Sequence, residues 1–175
     1  EKISGLLAAG SDYLDLPHGF LTRVERDAGS AAGTQTIVDA VGSHDRLQPG
    51  DSSPLSESYC QRTIDRDDVL ALTDAAESDL VTDSAYERFG LETYVGGTVA
   101  ADDEPYGTIC FASEASRASA LEEFERSFIS LLGRWIGYEI ERRDAHEELR
   151  RQQERLELTL SATNTVSSGT SPSPL

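Results

Sequence analysis

Tyr94-Val95-Gly96-Gly97-Thr98-Val99-Ala100, then Ala101-Asp102-Asp103-Glu104-Pro105, then Tyr106-Gly107-Thr108-Ile109-Cys110-Phe111-Ala112: this stretch decides the fold. Two runs rich in β-branched and aromatic residues flank a polar turn, which is the pattern of a β-hairpin. Glycine inside a strand weakens it unless something approaches closely. Gly96, Gly97 and Gly107 therefore read in two ways, as the floor of a cavity above the sheet or as close packing by a helix or a bulge.

Towards the N-terminus the same grammar repeats. Residues 20–26 and 34–41 read as strands around a Gly-rich turn at 27–33, giving a second hairpin. Before it, residues 1–14 read as a short helix with Ile3, Leu6, Leu7 and Leu14 on one apolar face, broken by Pro17-His18-Gly19. After it, residues 42–54 read as a polar loop with two prolines, 55–64 as a helix, 69–73 as a short strand, and 83–89 as a helix stopped by Gly90. Strands that pair as hairpins, with helices gathered to one side, make an α+β domain on an antiparallel sheet.

Towards the C-terminus a long helix begins at Leu121. Leu131, Trp135, Tyr138, Ala145, Leu149 and Leu156 recur at alternating three- and four-residue steps, with Arg142 and Gln152 at the polar gaps. That is the seam of a coiled coil, and it predicts a homodimer joined through this helix. Trp135 and Tyr138 also read as core at this spacing, so cover of the sheet and dimer seam overlap there. The resulting division is a folded domain at 1–143, a coiled-coil helix at 144–160, and a tail at 161–175 rich in Ser, Thr, Gly and Pro, expected to be disordered.

Charge narrows the function classes. Thirty-two Asp and Glu against fifteen Lys and Arg give a formal charge of −17, and Lys2 is the only lysine. Such a field opposes direct nucleic-acid binding, which depends on basic side chains neutralising phosphates. The longest apolar stretch, 128–140, is cut by Arg134 and Glu139, so neither a membrane span nor a secretory signal is expected. The expected location is the cytoplasm. The chain contains no Met, and we expect it to be a piece of a longer parent.

The words Pro17-His18-Gly19-Phe20-Leu21-Thr22-Arg23, Leu55-Ser56-Glu57-Ser58-Tyr59-Cys60-Gln61-Arg62-Thr63-Ile64 and residues 83–97, running on into 106–112, are familiar as a set. Over residues 14–143 the chain resembles the GAF domains of haloarchaeal multi-sensor proteins, among them histidine kinases and bacterio-opsin-activator-like regulators. The acidic excess and near-absence of Lys resemble salt-accumulating archaea in the same way. Residues 155–165 resemble the first helix of a PAS domain, which would make the tail the truncated start of one. The resemblance implies a sensory domain that binds a small molecule or senses redox state. It would relay the signal through its last helix to a kinase or transcriptional output.

On that reading the candidate ligand pocket is lined by Tyr59, Cys60, Tyr94, Gly96, Tyr106 and Cys110, and the signalling helix carries Trp135, Tyr138, Leu149 and Leu156. No particular cofactor is named by the motifs. Cys60 and Cys110 match no zinc spacing, and no metal is expected. They read as two buried, inert thiols, or alternatively as a redox or ligand site; reactivity would need a nearby cation or helix N-terminus. Ser43-His44-Asp45-Arg46-Leu47-Gln48-Pro49 imitates a histidine-kinase phospho-acceptor box, but it lies between Gly42 and Pro49-Gly50 with no ATP-binding motif after it, so His44 reads as a loop residue. No catalytic constellation stands out. The rival from another class is a cysteine-based methionine sulfoxide reductase on the same fold, and a third reading is a purely structural dimerisation module.

Overall fold

In a computed structural model the described residues are 2–30 and 32–167. They form two units, divided between Glu139 and Ile140. The first is built on a six-stranded antiparallel sheet in the order β3-β2-β1-β6-β5-β4. Its strands are β1 (His18–Arg26), β2 (Gly33–Val41), β3 (Ser52–Pro54), β4 (Leu70–Leu72), β5 (Thr93–Ala101) and β6 (Glu104–Ser113). The helices are α1 (Lys2–Leu14), α2 (Cys60–Ile64), α3 (Asp83–Phe89) and α4 (Glu123–Ser167).

Side chains alternate between faces along a strand, so β6 sends Phe111 and Ile109 one way and Cys110 and Thr108 the other. Against the first face pack α1 and the start of α4. Ile3, Leu7, Gly10 and Leu14 form the buried stripe of α1, and a side chain on Gly10 would collide with the Phe111 ring. Ile129, Leu132 and Ile136 are among the buried residues of α4 here, and Gly133 brings the helix close to the β5 backbone at Thr98. The opposite face is covered by α2, α3 and the loops between them, around Phe20, Ile37, Leu55, Tyr59 and Tyr94.

Both hairpins form as the alternation predicts, with local differences. The β5–β6 turn is two residues, Asp102 and Asp103, both at left-handed φ (52° and 61°), which matches the twist of the flanking strands. Pro105, expected in the turn, instead pairs with Ala100, beyond the last β1 partner at Gly107, where its missing N–H costs no ladder bond to β1. The helix expected at 55–64 is broken into a 3-10 turn at Leu55–Glu57 and the short α2. Ser58 between them is extended, and both its N–H and its hydroxyl donate to the Leu55 carbonyl. That local bonding competes with a helix. The loop at 42–54 also holds β3, a three-residue edge strand that its prolines and serines do not announce. As expected, α3 ends at Gly90, which adopts φ 61° and donates to the Tyr86 carbonyl.

α4 runs 45 residues without a break. It passes Leu160 and is helical to Ser167, so residues 161–167 are not the disordered stretch their composition suggests; residues 168–175 lie outside the described residues. No helix among the described residues is long and apolar enough to cross a membrane.

Candidate functional site

The expected pocket residues largely converge, but on a filled space. Antiparallel register sets Cys110 opposite Phe20 of β1 and Gly96 of β5, and Thr108 opposite Thr22 and Thr98. Over this face α2 brings Cys60 and Thr63. The two sulfurs end 3.8 Å apart. Thr108 Oγ1 lies 3.1 Å from Cys60 Sγ and 3.2 Å from Cys110 Sγ, and shares a 2.7 Å hydrogen bond with Thr22 Oγ1. Tyr94 Oη closes the group, 3.1 Å from Cys110 Sγ and 2.8 Å from Thr63 Oγ1. Tyr59 stacks a tilted ring on Tyr94 at 5.1 Å and donates its hydroxyl to the Leu91 carbonyl at 2.8 Å.

Gly96 shows how the space above it is filled. A Cβ on it would lie 2.4 Å from Tyr94 Oη and 3.0 Å from Thr63 Cγ2. The missing side chain is the space into which Tyr94, two residues earlier on the same strand face, folds to reach the thiols. Gly97 serves the other face, where Ile129 of α4 packs 3.1 Å from its would-be Cβ. Of the two readings of these glycines, close packing is the one realised. Tyr59, Cys60, Tyr94, Gly96 and Cys110 are all buried in the core. Tyr106 stands apart from them. It is the half-buried residue at a bulge between Pro105 and Gly107, outside the hydrogen bonds just described.

Burial opposes charge throughout this cluster. It pushes Tyr59 up, and pushes Tyr94 well up together with the neighbouring sulfurs. At Cys60 burial also acts upward, but hydrogen bonds from Cys110, Thr108 and Tyr94 outweigh it and bring the thiol below its ordinary value. Cys110 goes the other way, driven well up by burial and by Cys60. The pair is therefore asymmetric: donors converge on Cys60.

No family model matches this sequence, and no curated protein does. Solved structures do. The GAF domain of a phosphoenolpyruvate-protein phosphotransferase from Coxiella burnetii superposes with TM-score 0.66 at 14% identity, covering 83% of this chain and 84% of that one. The blue-light-absorbing form of the Thermosynechococcus elongatus PixJ GAF domain gives 0.62 at 18%, covering 87% and 90%. A type II free methionine-R-sulfoxide reductase from Thermoplasma acidophilum gives 0.56 at 14%, covering 78% and 90%. The fold is that of a GAF domain.

In this GAF fold the expected helix residues take one side of α4. Leu131, Trp135 and Tyr138 are 59%, 54% and 68% exposed, so they are not core of this chain. At 100° per residue Leu131 points about 200° away from Ile129, which puts the outer stripe opposite the buried one. Leu149 and Leu156 are likewise exposed, at 58% and 61%. His44 is a loop residue as expected: its Nε2 donates to the Phe89 carbonyl at 2.8 Å and its Nδ1 accepts from the Arg46 N–H. Among the described residues no group of three or more His, Cys, Asp or Glu is arranged to hold a metal ion.

The domain also has a cavity that the sequence did not suggest. It lies between β2, β3, the 42–51 loop and α3, and is lined by Gln35, Ile37, Arg46, Ser53, Arg88 and Phe89 among others. Its residues come from three separated stretches and share no motif. The one available signal was Gln35, a polar residue two positions from Ile37 and so on the same, inward face of a strand.

Proposed function

We propose that this chain is a sensory domain of a signal-transduction protein, in which the GAF fold receives a signal and α4 passes it on as a parallel two-fold homodimer. The observation that supports this most is the second apolar stripe of α4. A helix already anchored by Ile129, Leu132 and Ile136 has no need of Leu131, Trp135, Tyr138, Leu149 and Leu156 at heptad spacing, all more than half exposed. Burying a Leu contributes about 1.5–3 kcal/mol, and a symmetric pair buries each residue twice. Leu149→Asp with Leu156→Asp is expected to give a monomer by light scattering, with the sheet domain still folded. A wild type that is monomeric at high micromolar concentration would refute the dimeric relay.

For the input, the geometry favours redox state over a ligand bound among the same residues, because Tyr94 fills that space. Cys60 and Cys110 need close only from 3.8 Å to the roughly 2.05 Å of a disulfide. A hydroperoxide, ROOH, takes two electrons and two protons from the thiols, leaving one S–S bond, one ROH and one water. The expected result is a Cys60–Cys110 disulfide after peroxide treatment of folded protein, seen by non-reducing peptide mapping and absent from Cys110→Ser. Thiols that stay free until the protein unfolds would exclude it. A reductase-like turnover reading is less supported, since both sulfurs are in the core, 1% and 0% exposed, where a small hydroperoxide enters more readily than a substrate the size of an oxidised amino acid. A thiol-dependent turnover assay separates the two.

A further inference from the structure

We propose that the cavity between β2, β3 and α3 is a binding site for a small free α-amino acid whose uncharged side chain ends in an N–H or O–H donor. The cavity is about 140 Å³ and shares no residue with the thiol cluster. This inference stands apart from the redox relay, and either can fail alone.

The lining changes character from inside to rim. Gln35, Ile37, Ser53 and Phe89 are all buried, while Asp45, Arg46 and Asp51 are exposed. Inside, Ile37 and Phe89 offer apolar walls. Gln35 Nε2 donates to Ser53 Oγ at 3.0 Å, which leaves Gln35 Oε1 buried without a partner. Buried amide oxygens are nearly always satisfied, and a donor brought in by an occupant would satisfy this one. Nothing inside the cavity would balance a charge on that donor, so the occupant's inner end is neutral.

At the rim both signs of charge meet. Arg88 is held by Glu57. Arg46 pairs with no carboxylate among the described residues. Asp45 and Asp51 stand beside it in the same lining. On a chain of net charge −17 a simple carboxylate is repelled, and a simple amine leaves Arg46 unmatched. A zwitterionic head meets both. Size sets the rest: a cavity of about 150 Å³ takes a benzene ring, so a side chain of roughly six heavy atoms or fewer fits inside with the head at the rim.

The test is calorimetry and thermal melting of the whole chain with free glutamine, asparagine, serine, threonine, leucine and glutamate, and with the acids lacking the α-amino group. At least one of the first four should bind saturably, at least tenfold more tightly than leucine, glutamate and its own deaminated acid. Arg46→Ala, a change at an exposed side chain, should weaken that binding about tenfold. Gln35→Met, of similar length, should remove the preference over leucine while the unliganded melting midpoint holds. If Gln35→Met fails to fold, Arg46→Ala and the deaminated acid decide alone. Absence of any saturable binding overturns the proposal, as does binding indifferent to Arg46 or shared equally with the deaminated acid.

Discussion

The two stretches of α4 obey different physics, and comparing them shows what each is for. Up to Glu139 the helix is specified by what it touches. Ile129 and Ile136 are fully buried, Ile129 packs on Gly97, and Gly137 lies so close to β5 that a Cβ would come 2.3 Å from the Ala100 carbonyl oxygen. From Glu141 to Thr165 all but one residue is exposed, Glu141 being half-buried, and the described bonds between side chains are local: Arg150–Glu154, Arg151–Glu147, Arg151–Glu148 and Gln152–Glu148. Such pairs contribute only about 0.2–0.5 kcal/mol each. The first stretch is helical because the sheet domain requires it. Under the proposed dimeric relay, the second depends on its apolar stripe finding a partner, which would make it the part able to respond to a signal.

The sharpest way to break this comparison is to truncate one apolar residue in each stretch. Ile136→Ala removes buried methyl groups from a packed core and should cost about 2–5 kcal/mol in urea unfolding of the sheet domain. Leu149→Ala should leave that transition within about 0.5 kcal/mol of wild type and weaken self-association instead. Equal effects of the two changes on the sheet domain would erase the distinction.

These differences also mark what was legible in the sequence. The hairpins and the α3 stop at Gly90 were readable because alternation and turn residues are local signals. The break before α2 was not, because Ser58 captures the Leu55 carbonyl, a bond that a stretch of helix-compatible residues hides. The thiol cluster was half legible. The side chains were singled out, but Gly96 read equally as an opening or as close packing, because only the fold shows that its own strand supplies the plug, Tyr94. The 35–53–88 cavity depends on tertiary proximity of three distant stretches, which no spacing in the chain encodes.

A smaller effect tests how α4 is anchored at its start. Glu125 is buried; its carboxylate accepts from the Glu122 backbone N–H at 2.8 Å and from Arg117 Nη2 at 2.7 Å, tying the first turn to the preceding loop. Burial acts against that charge, but the Glu122 N–H and Arg117 outweigh it and hold the carboxyl below its ordinary pKa. A carboxyl lowered by folding adds stability above its unfolded value, near 4.3, and loses that contribution as pH falls through the folded value. Glu125→Gln keeps the shape and drops the charge, so it should cost about 1 kcal/mol at neutral pH, the difference between charged and neutral hydrogen bonds. As pH falls through that lowered folded value the wild-type and variant melting curves should converge. A gap that persists unchanged into acid would mean that the charge does nothing there.

The smallest effect belongs to the exposed stretch and depends on salt. Arg151 faces both Glu147 and Glu148, at 3.6 and 3.8 Å, with all three side chains more than half exposed. Pairs of this kind are screened once the Debye length falls to a few Å, near molar salt. Arg151→Gln keeps helix propensity almost constant, so it isolates the charges. It should lower the helicity of the second stretch by an amount worth a few tenths of a kcal/mol in dilute buffer, read by circular dichroism of the Leu149→Asp, Leu156→Asp background, where association no longer masks it. In molar KCl the difference should vanish. Should it survive there, the pairs would be more than surface charges, and the second stretch would carry order of its own without a partner.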